Sequence, residues 1–313
     1  MLLKNSAELY PPNRFKNEHI VLSLDRTCLF NCVVVKSQGV KNSWGVMVWG
    51  ALWTSLKVVG GLNLAGFALT TVTHTHKVTD LTGTSAFVAS AWATYLKCSP
   101  RNPASLALTL CVTLWGARLG THLFYRILKT EQDQRLVDFY PKNGEGWFTD
   151  PSWYPMKLGR FWFLQASWAW ISLFPVTVYH GLKKPMSLGP WSYVSLGLFF
   201  VGFVIESVAD YQKLEHKLSE QKGFMRDGVW KYSRHPNYFG EILIWWSLWG
   251  ATLPTTLSHP WAIISPIFVT FLLLKVSGIP LAEQNSKMKY GDDSAYKHYV
   301  NSTNIVVPWF PRT

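Results

Sequence analysis

The chain has 313 residues, 30 of them Lys or Arg against 18 Asp or Glu, for a formal net charge of +12 at neutral pH. Its mean hydropathy is only slightly positive, yet charge is so unevenly distributed along it that a pair of ordinary soluble domains is excluded. The positive charge needs no nucleic acid, because a basic rim beside anionic lipid, or a pocket for a phosphate-bearing cofactor, accounts for it.

Residues 1–43 are polar and irregular, with no uninterrupted signal-peptide core, and Glu8, Glu18 and Asp25 argue against a transit peptide. The chain from 44 to 313 reads as one membrane domain. Ser43 to Thr73 is apolar apart from Lys57, and Leu81 to Leu96 follows Asp80 without a charge. Asp80 is placed to cap that second segment. Pro103 to Tyr125 is apolar but carries Arg118 and His122. Phe161 to Tyr179 is 19 residues without a charge, Leu188 to Ile205 is 18, and Ile242 to Leu274 is 33. Ser258-His259-Pro260 divides the last run, reading as a turn between two helices. A bilayer core needs about 20 apolar residues per helix. The pattern therefore predicts an all-α, polytopic membrane protein with about seven spanning helices, its 17 tryptophans including several at segment ends.

Seven spans put the N-terminal segment and the loops near 97–102 and 180–187 on one side, with about ten basic residues. The loops near 126–159 and 209–238 and the tail at 283–313 share the other side, with about sixteen. The more basic side is expected to be cytosolic, the C-terminal tail included. The four cysteines (Cys28, Cys32, Cys98, Cys111) show no metal-ligand or redox spacing, and no metal is expected.

Charge enters the spans at helical spacing. Arg118, His122, Arg126 and Lys129 form one stripe, and Glu206, Asp210, Lys213 and Lys217 another. Lys275 and Glu283 flank a break at Ser277-Gly278-Ile279-Pro280. Snorkelling or a salt bridge between helices accounts for such charges as well as a site does, Arg118 pairing with Glu206 or Asp210.

The densest polar cluster lies at residues 226–245. Tyr232, Arg234, His235, Asn237, Tyr238 and Glu241 crowd the mouth of an apolar helix, where unpartnered polar groups cost several kcal/mol each. Pro236 suits the first turn of that helix. The amides after it would accept an anion, with Arg226, Lys231 and Arg234 as a phosphate cradle and Asn237 and Tyr238 bonding a cofactor amide or ribose.

At these residues the chain resembles a known family. Gly228 to Glu241 with Ile242-Leu243-Ile244-Trp245-Trp246 is similar to the C-terminal signature of the steroid 5-alpha-reductase superfamily, especially its poorly characterised domain-of-unknown-function branch. Lys77-Val78-Thr79-Asp80, Thr113 to Gly120, Glu206 to Lys213, Val276 to Glu283 and the Tyr290-Gly291 to Pro308 tail extend the resemblance to about residues 75–311. It implies seven helices with a cytosolic C-terminus, an endoplasmic reticulum location, and NADPH bound between the cytosolic halves of the later helices. The implied reaction is hydride transfer to an electron-poor carbon–carbon double bond of a lipid, most naturally a steroid or sterol. Arg234, Asn237 and Tyr238 then become the best cofactor contacts, with Asp210, Glu283 and Arg118 next. Sterol-ring reductases of that superfamily use a late tyrosine as proton donor, matched by Tyr299, with Tyr296 three residues earlier. Steroid reductases carry a tyrosine on the span of Arg118, and here Trp115 stands near its position, a departure that bears on the substrate.

Two other readings remain open. Arg-His-Pro-x-Tyr-x-Gly before an apolar helix also occurs in membrane methyltransferases of the isoprenylcysteine and phospholipid type, which bind S-adenosylmethionine. Those usually carry two consecutive glutamates near the end of the last span, where Glu283 stands here between Ala282 and Gln284. The other reading is a non-catalytic lipid-binding protein.

Overall fold

A computed structural model describes residues 42–73, 75–99, 101–130, 154–183, 187–219 and 223–312. The N-terminal segment through residue 41 and the loop at 131–153 lie outside the described residues. Among the described residues the structure is helical, without strands.

The long helices are α1 (Asn42–Thr73), α2 (Thr79–Lys97) and α3 (Pro103–Thr130), followed by α4 (Tyr154–Ser172), the short α5 (Phe174–His180) and α6 (Pro190–Leu218). A 3-10 turn at Gly228–Lys231 leads into α7 (Pro236–Thr256). Another 3-10 turn (Pro260–Ile263), α8 (Ile264–Phe271), a π-helical turn (Leu272–Val276), α9 (Ile279–Tyr290) and α10 (Ser294–Ser302) complete the chain. The expected breaks fall at Ser258-His259 and at Ser277-Gly278, each followed by a helical segment with proline in its first turn.

Four stretches are long and apolar enough to cross a membrane: Met47–Thr73, Pro103–Lys129, Pro190–Leu218 and Pro260–Tyr290. A fifth forms if Met156–Ser172 and Phe174–His180, bent by 52°, count as one broken span. Pro175 explains that bend, since it lacks an N–H and its ring crowds the carbonyl four residues back. This is an integral membrane protein.

Asp80 is not the expected cap. It sits in the first turn of α2, where no side chain caps the helix, and pairs instead with Arg126 of α3 at 3.4 Å. That contact marks one end of the α2–α3 pair. At the other, the fully buried His180 of α5 has Nδ1 at 2.9 Å from Thr94 Oγ1 and Nε2 at 3.3 Å from Thr109 Oγ1. Between the ends lies an aromatic core. Phe87 packs edge-on against Trp115 and Trp168, with centroids 4.9 and 4.6 Å away. Trp115 meets Trp245 of α7 at 5.0 Å.

The tightest packing joins α6 to α7. Gly202 and Gly240 face each other so closely that a Cβ on Gly240 would lie 2.7 Å from both the Gly202 carbonyl oxygen and the Glu206 nitrogen. Those obstacles are backbone atoms of another helix, which cannot swing aside as a side-chain tip can. Small residues permit such approaches between membrane helices. Gly240→Ala is expected to lower stability by about 1–3 kcal/mol through overpacking, read as an earlier thermal unfolding midpoint in detergent. Gly197→Ala, where a Cβ meets nothing within 4 Å, should leave that midpoint in place.

Candidate functional site

The glycine crossing determines what surrounds the start of α7. One turn beyond Gly202 is Glu206, and one turn further is Asp210; Asn237 and Glu241 flank Gly240 on the opposing helix. Arg118 reaches across from α3. Its Nη2 lies 2.5 Å from Glu206 Oε1 and its Nη1 2.7 Å from Asp210 Oδ2. Asn237 Nδ2 donates to Asp210 Oδ1 at 3.2 Å. Glu206 is only 2% exposed, and Glu241 bears electrostatically on Glu206 and Asp210. One guanidinium thus faces three carboxyl groups. An arginine at this depth needs such partners.

A second group lies at the mouth of α7. Arg234 Nη1 donates to Glu283 Oε2 at 2.7 Å, and His235 Nε2 meets Glu283 Oε1 at 2.6 Å. With Nε2 donating to the carboxylate, Nδ1 of a neutral ring is left as an acceptor. The Tyr238 ring stacks on His235, 5.4 Å between centroids and 14° from parallel. At the start of α7 the N-cap His235 makes no side-chain cap, and the helix begins with Pro236, which suits its first turn.

Several buried side-chain atoms here have no protein partner: the donors Arg118 Nε and Arg234 Nε, and the acceptors His235 Nδ1, Asn237 Oδ1 and Glu206 Oε2. Most buried polar atoms in proteins are paired, so a concentration of exceptions marks a place where a ligand can bind.

A third group holds the loop before α7 in place. Gly228, at φ +60°, takes a left-handed conformation that glycine reaches without strain. Val229 N–H then donates to Gln212 Oε1 at 3.1 Å and Trp230 Nε1 to the Ala209 carbonyl at 3.1 Å. The tail closes over this loop. Ser233 Oγ donates to the Val306 carbonyl at 2.7 Å, Arg234 N–H to the Asn304 carbonyl at 2.9 Å, and Trp309 N–H to the Tyr232 carbonyl at 2.9 Å.

Of the residues expected to form the site, Arg118, Asp210, Asn237 and Glu241 converge on one cluster, and Arg234, His235, Glu283 and Tyr238 on the adjacent one. Tyr232 joins neither, because its ring packs on Phe310 of the tail, 5.8 Å between centroids. Lys231 and Arg226 are exposed, Arg226 lying over Phe224, so of the expected cradle only Arg234 turns inward. Tyr296 and Tyr299 both pack on Phe224. Tyr299 donates its hydroxyl to the Trp230 carbonyl at 2.7 Å, and burial raises the pKa of its phenol. Glu206 was on a recognised stripe but not among the expected site residues. Its signal was four-residue spacing to Asp210 directly after an uncharged run.

Residues 66–303 match the family described as protein of unknown function (DUF1295). The chain belongs to that family. The matched span contains every candidate site residue, from Arg118 to Tyr299, while the strap at 304–309 lies just beyond it. A relative is the uncharacterized protein C594.04c of Schizosaccharomyces pombe, 28% identical over 189 residues, which cover 49% of this chain and 50% of that protein. The chain thus spans about half the length of that curated relative. No solved structure matches.

Arg118→Met should destabilise the protein by about 3–5 kcal/mol, because it leaves Glu206 and Asp210 buried without their cation. Arg118→Lys should be milder, and thermal unfolding in detergent ranks the two. Tyr299→Phe removes one buried hydrogen bond and should cost about 1 kcal/mol in the same assay.

Proposed function

We propose that this protein reduces a carbon–carbon double bond in a membrane lipid with NADPH, as a seven-span member of the steroid 5-alpha-reductase superfamily whose C-terminus faces the cytosol. The endoplasmic reticulum is its proposed membrane, and a steroid or sterol its proposed class of substrate. The seven spans are α1, α2, α3, the α4–α5 pair, α6, α7 and the α8 segment, a count that adds α2 and α7 to the five stretches named above.

One observation carries this reading: the unpartnered buried atoms at the start of α7. Arg234 Nε offers a donor, while His235 Nδ1 and Asn237 Oδ1 offer acceptors. A carboxamide or a ribose hydroxyl presents both complements, and a hydrocarbon presents neither. The N-terminal end of α7 suits a phosphate, and Lys231 and Arg226 supply positive charge at the exposed rim. The residues therefore fit a nicotinamide dinucleotide, with Arg234, Asn237 and Tyr238 holding it and Asp210, Glu283, His235 and Glu241 positioning them.

When bound, NADPH would supply the hydride. The protein must supply a proton and stabilise charge on the substrate. Tyr299, with Tyr296 beside it, is the proposed donor. To serve, it must first release its bond to the Trp230 carbonyl.

Arg234→Ala leaves Glu283 its bond to His235, so the variant should fold and lose NADPH affinity. Thermal shift with NADPH, NADH and S-adenosylmethionine provides the test, since a ligand at a hundredfold excess over Kd stabilises by about 2.7 kcal/mol. A shift with NADPH alone, abolished in Arg234→Ala, is the expected outcome. A shift with S-adenosylmethionine alone would replace this reading with methyl transfer, and no shift with any of the three would favour a non-catalytic lipid binder.

A further inference from the structure

The candidate site leaves unexplained the outward face of the strap that closes over it. After α10 the chain runs without helix from Thr303 to Arg312. One side of it is engaged with the protein. The Asn304 and Val306 carbonyls accept from Arg234 and Ser233, and Trp309 N–H donates to Tyr232. Exposure then alternates: Asn304, Val306 and Pro308 are half-buried, while Ile305, Val307 and Trp309 turn outward. Trp309 is 67% exposed and Phe310 beside it 72%. Exposed apolar side chains normally scatter singly over a water-facing surface, so four within six residues mark a contact face.

The position of the strap says what meets that face. The loop beneath it is bonded to α6, Val229 N–H to Gln212 and Trp230 Nε1 to the Ala209 carbonyl. Both partners lie in the last three turns of the apolar stretch Pro190–Leu218. The strap therefore stands where a spanning helix leaves the hydrocarbon, the level at which tryptophan rings settle. Charge agrees with this placement. Lys231 is exposed next to Tyr232, whose ring packs on Phe310, and the exposed Arg312 follows two residues after Phe310. Residues 228–240 and 294–312 contain no Asp or Glu, with Asp227 and Asp293 at their borders. An apolar face rimmed by cations matches a leaflet of anionic lipid, where each basic side chain strengthens binding about fivefold. A second copy of the chain would bring the same cations to the contact, which a two-fold interface opposes.

We propose that the strap docks on an anionic leaflet, with Ile305, Val307, Trp309 and Phe310 seated at the headgroup boundary and Lys231 and Arg312 on lipid phosphates. The inference rests on the protein being integral to a membrane and not on the reductase reading. It gives the bilayer a hold on the candidate site. Asn304 of the strap accepts from the backbone of Arg234, so a leaflet that seats the strap also steadies the mouth of α7.

The test uses the full-length protein in nanodiscs without NADPH, with an environment-sensitive fluorescent amino acid replacing Val307. Phosphatidylcholine carrying a nitroxide near its headgroup should quench this reporter about threefold more than aqueous iodide does. The same reporter replacing Val201, exposed midway along α6, should respond instead to a nitroxide at the end of the acyl chain. Replacing a third of the lipid by phosphatidylserine should raise headgroup-label quenching at 307 about twofold. Lys231→Gln with Arg312→Gln should remove that gain, and Trp309→Ser with Phe310→Ser should shift quenching from lipid to iodide. The unsubstituted strap decides the matter even where a variant fails to fold. Dominant quenching by iodide would overturn the proposal in favour of a water-facing strap, and shielding from both quenchers would overturn it in favour of a protein cover. Lipid quenching indifferent to phosphatidylserine would overturn the anionic assignment.

Discussion

The backbone-to-backbone crossing of α6 and α7 at Gly202 and Gly240 sets the geometry on which the polar interior depends. Hydrophobic driving force is weak between helices that already sit in hydrocarbon, so close packing must hold them together. Two glycines bring the axes near enough for that packing. The same approach fixes register: Glu206 and Asp210 on α6 must then lie opposite Asn237 and Glu241 on α7. Neither helix could carry these groups toward lipid without a large desolvation cost. The glycines therefore permit the acids, and the acids in turn demand the cation that α3 supplies as Arg118.

Internal neutralisation at Arg118 and Arg234 cuts two ways. Each arginine already has carboxylate partners, and a structural role for such pairs is the ordinary one in a membrane bundle. A purely structural network, however, gains nothing from leaving atoms unsatisfied. His180 illustrates the contrast at the opposite end of the α2–α3 pair. Both of its ring nitrogens face hydroxyls, so it reads as a satisfied core histidine. The α7 mouth instead gathers several buried donors and acceptors without a hydrogen-bond partner, and that clustering is what makes it the candidate site.

Much of this was legible in the sequence. Uncharged runs, Pro236, the Ser258-His259-Pro260 turn and the Ser277-Gly278 break each leave a local signature, because proline and a run of apolar residues constrain the chain wherever they occur. Three features were not legible, and all depend on distant partners. Asp80 looked like a cap by its position, but Arg126, 46 residues away, pairs with it instead. Tyr232 stood among the polar cluster in sequence, yet the backbone turn before α7 directs its ring to Phe310. Glu206 was readable as a partner for Arg118, but only the glycine crossing places it among the buried groups at the candidate site. Spacing along a helix gives the face a residue occupies but not which helix opposes that face.

The tail shows why the α7 mouth can hold its shape. The residues from Gly228 to His235 form only one 3-10 turn and then irregular chain, a segment with too few internal hydrogen bonds to be rigid alone. Bonds from Ser233, Arg234 and Trp309 tie it to residues 304–309, and Tyr299 ties α10 to Trp230 from beneath. Arg234 is held at its backbone by Asn304 and at its guanidinium by Glu283. A residue fixed at both ends loses little entropy when a ligand binds, which is how preorganisation strengthens a site. Under the proposed reduction, proton donation from Tyr299 would draw on the same hydrogen bond that ties it to Trp230. The strap and the Gln212–Val229 bond would then have to hold the loop independently.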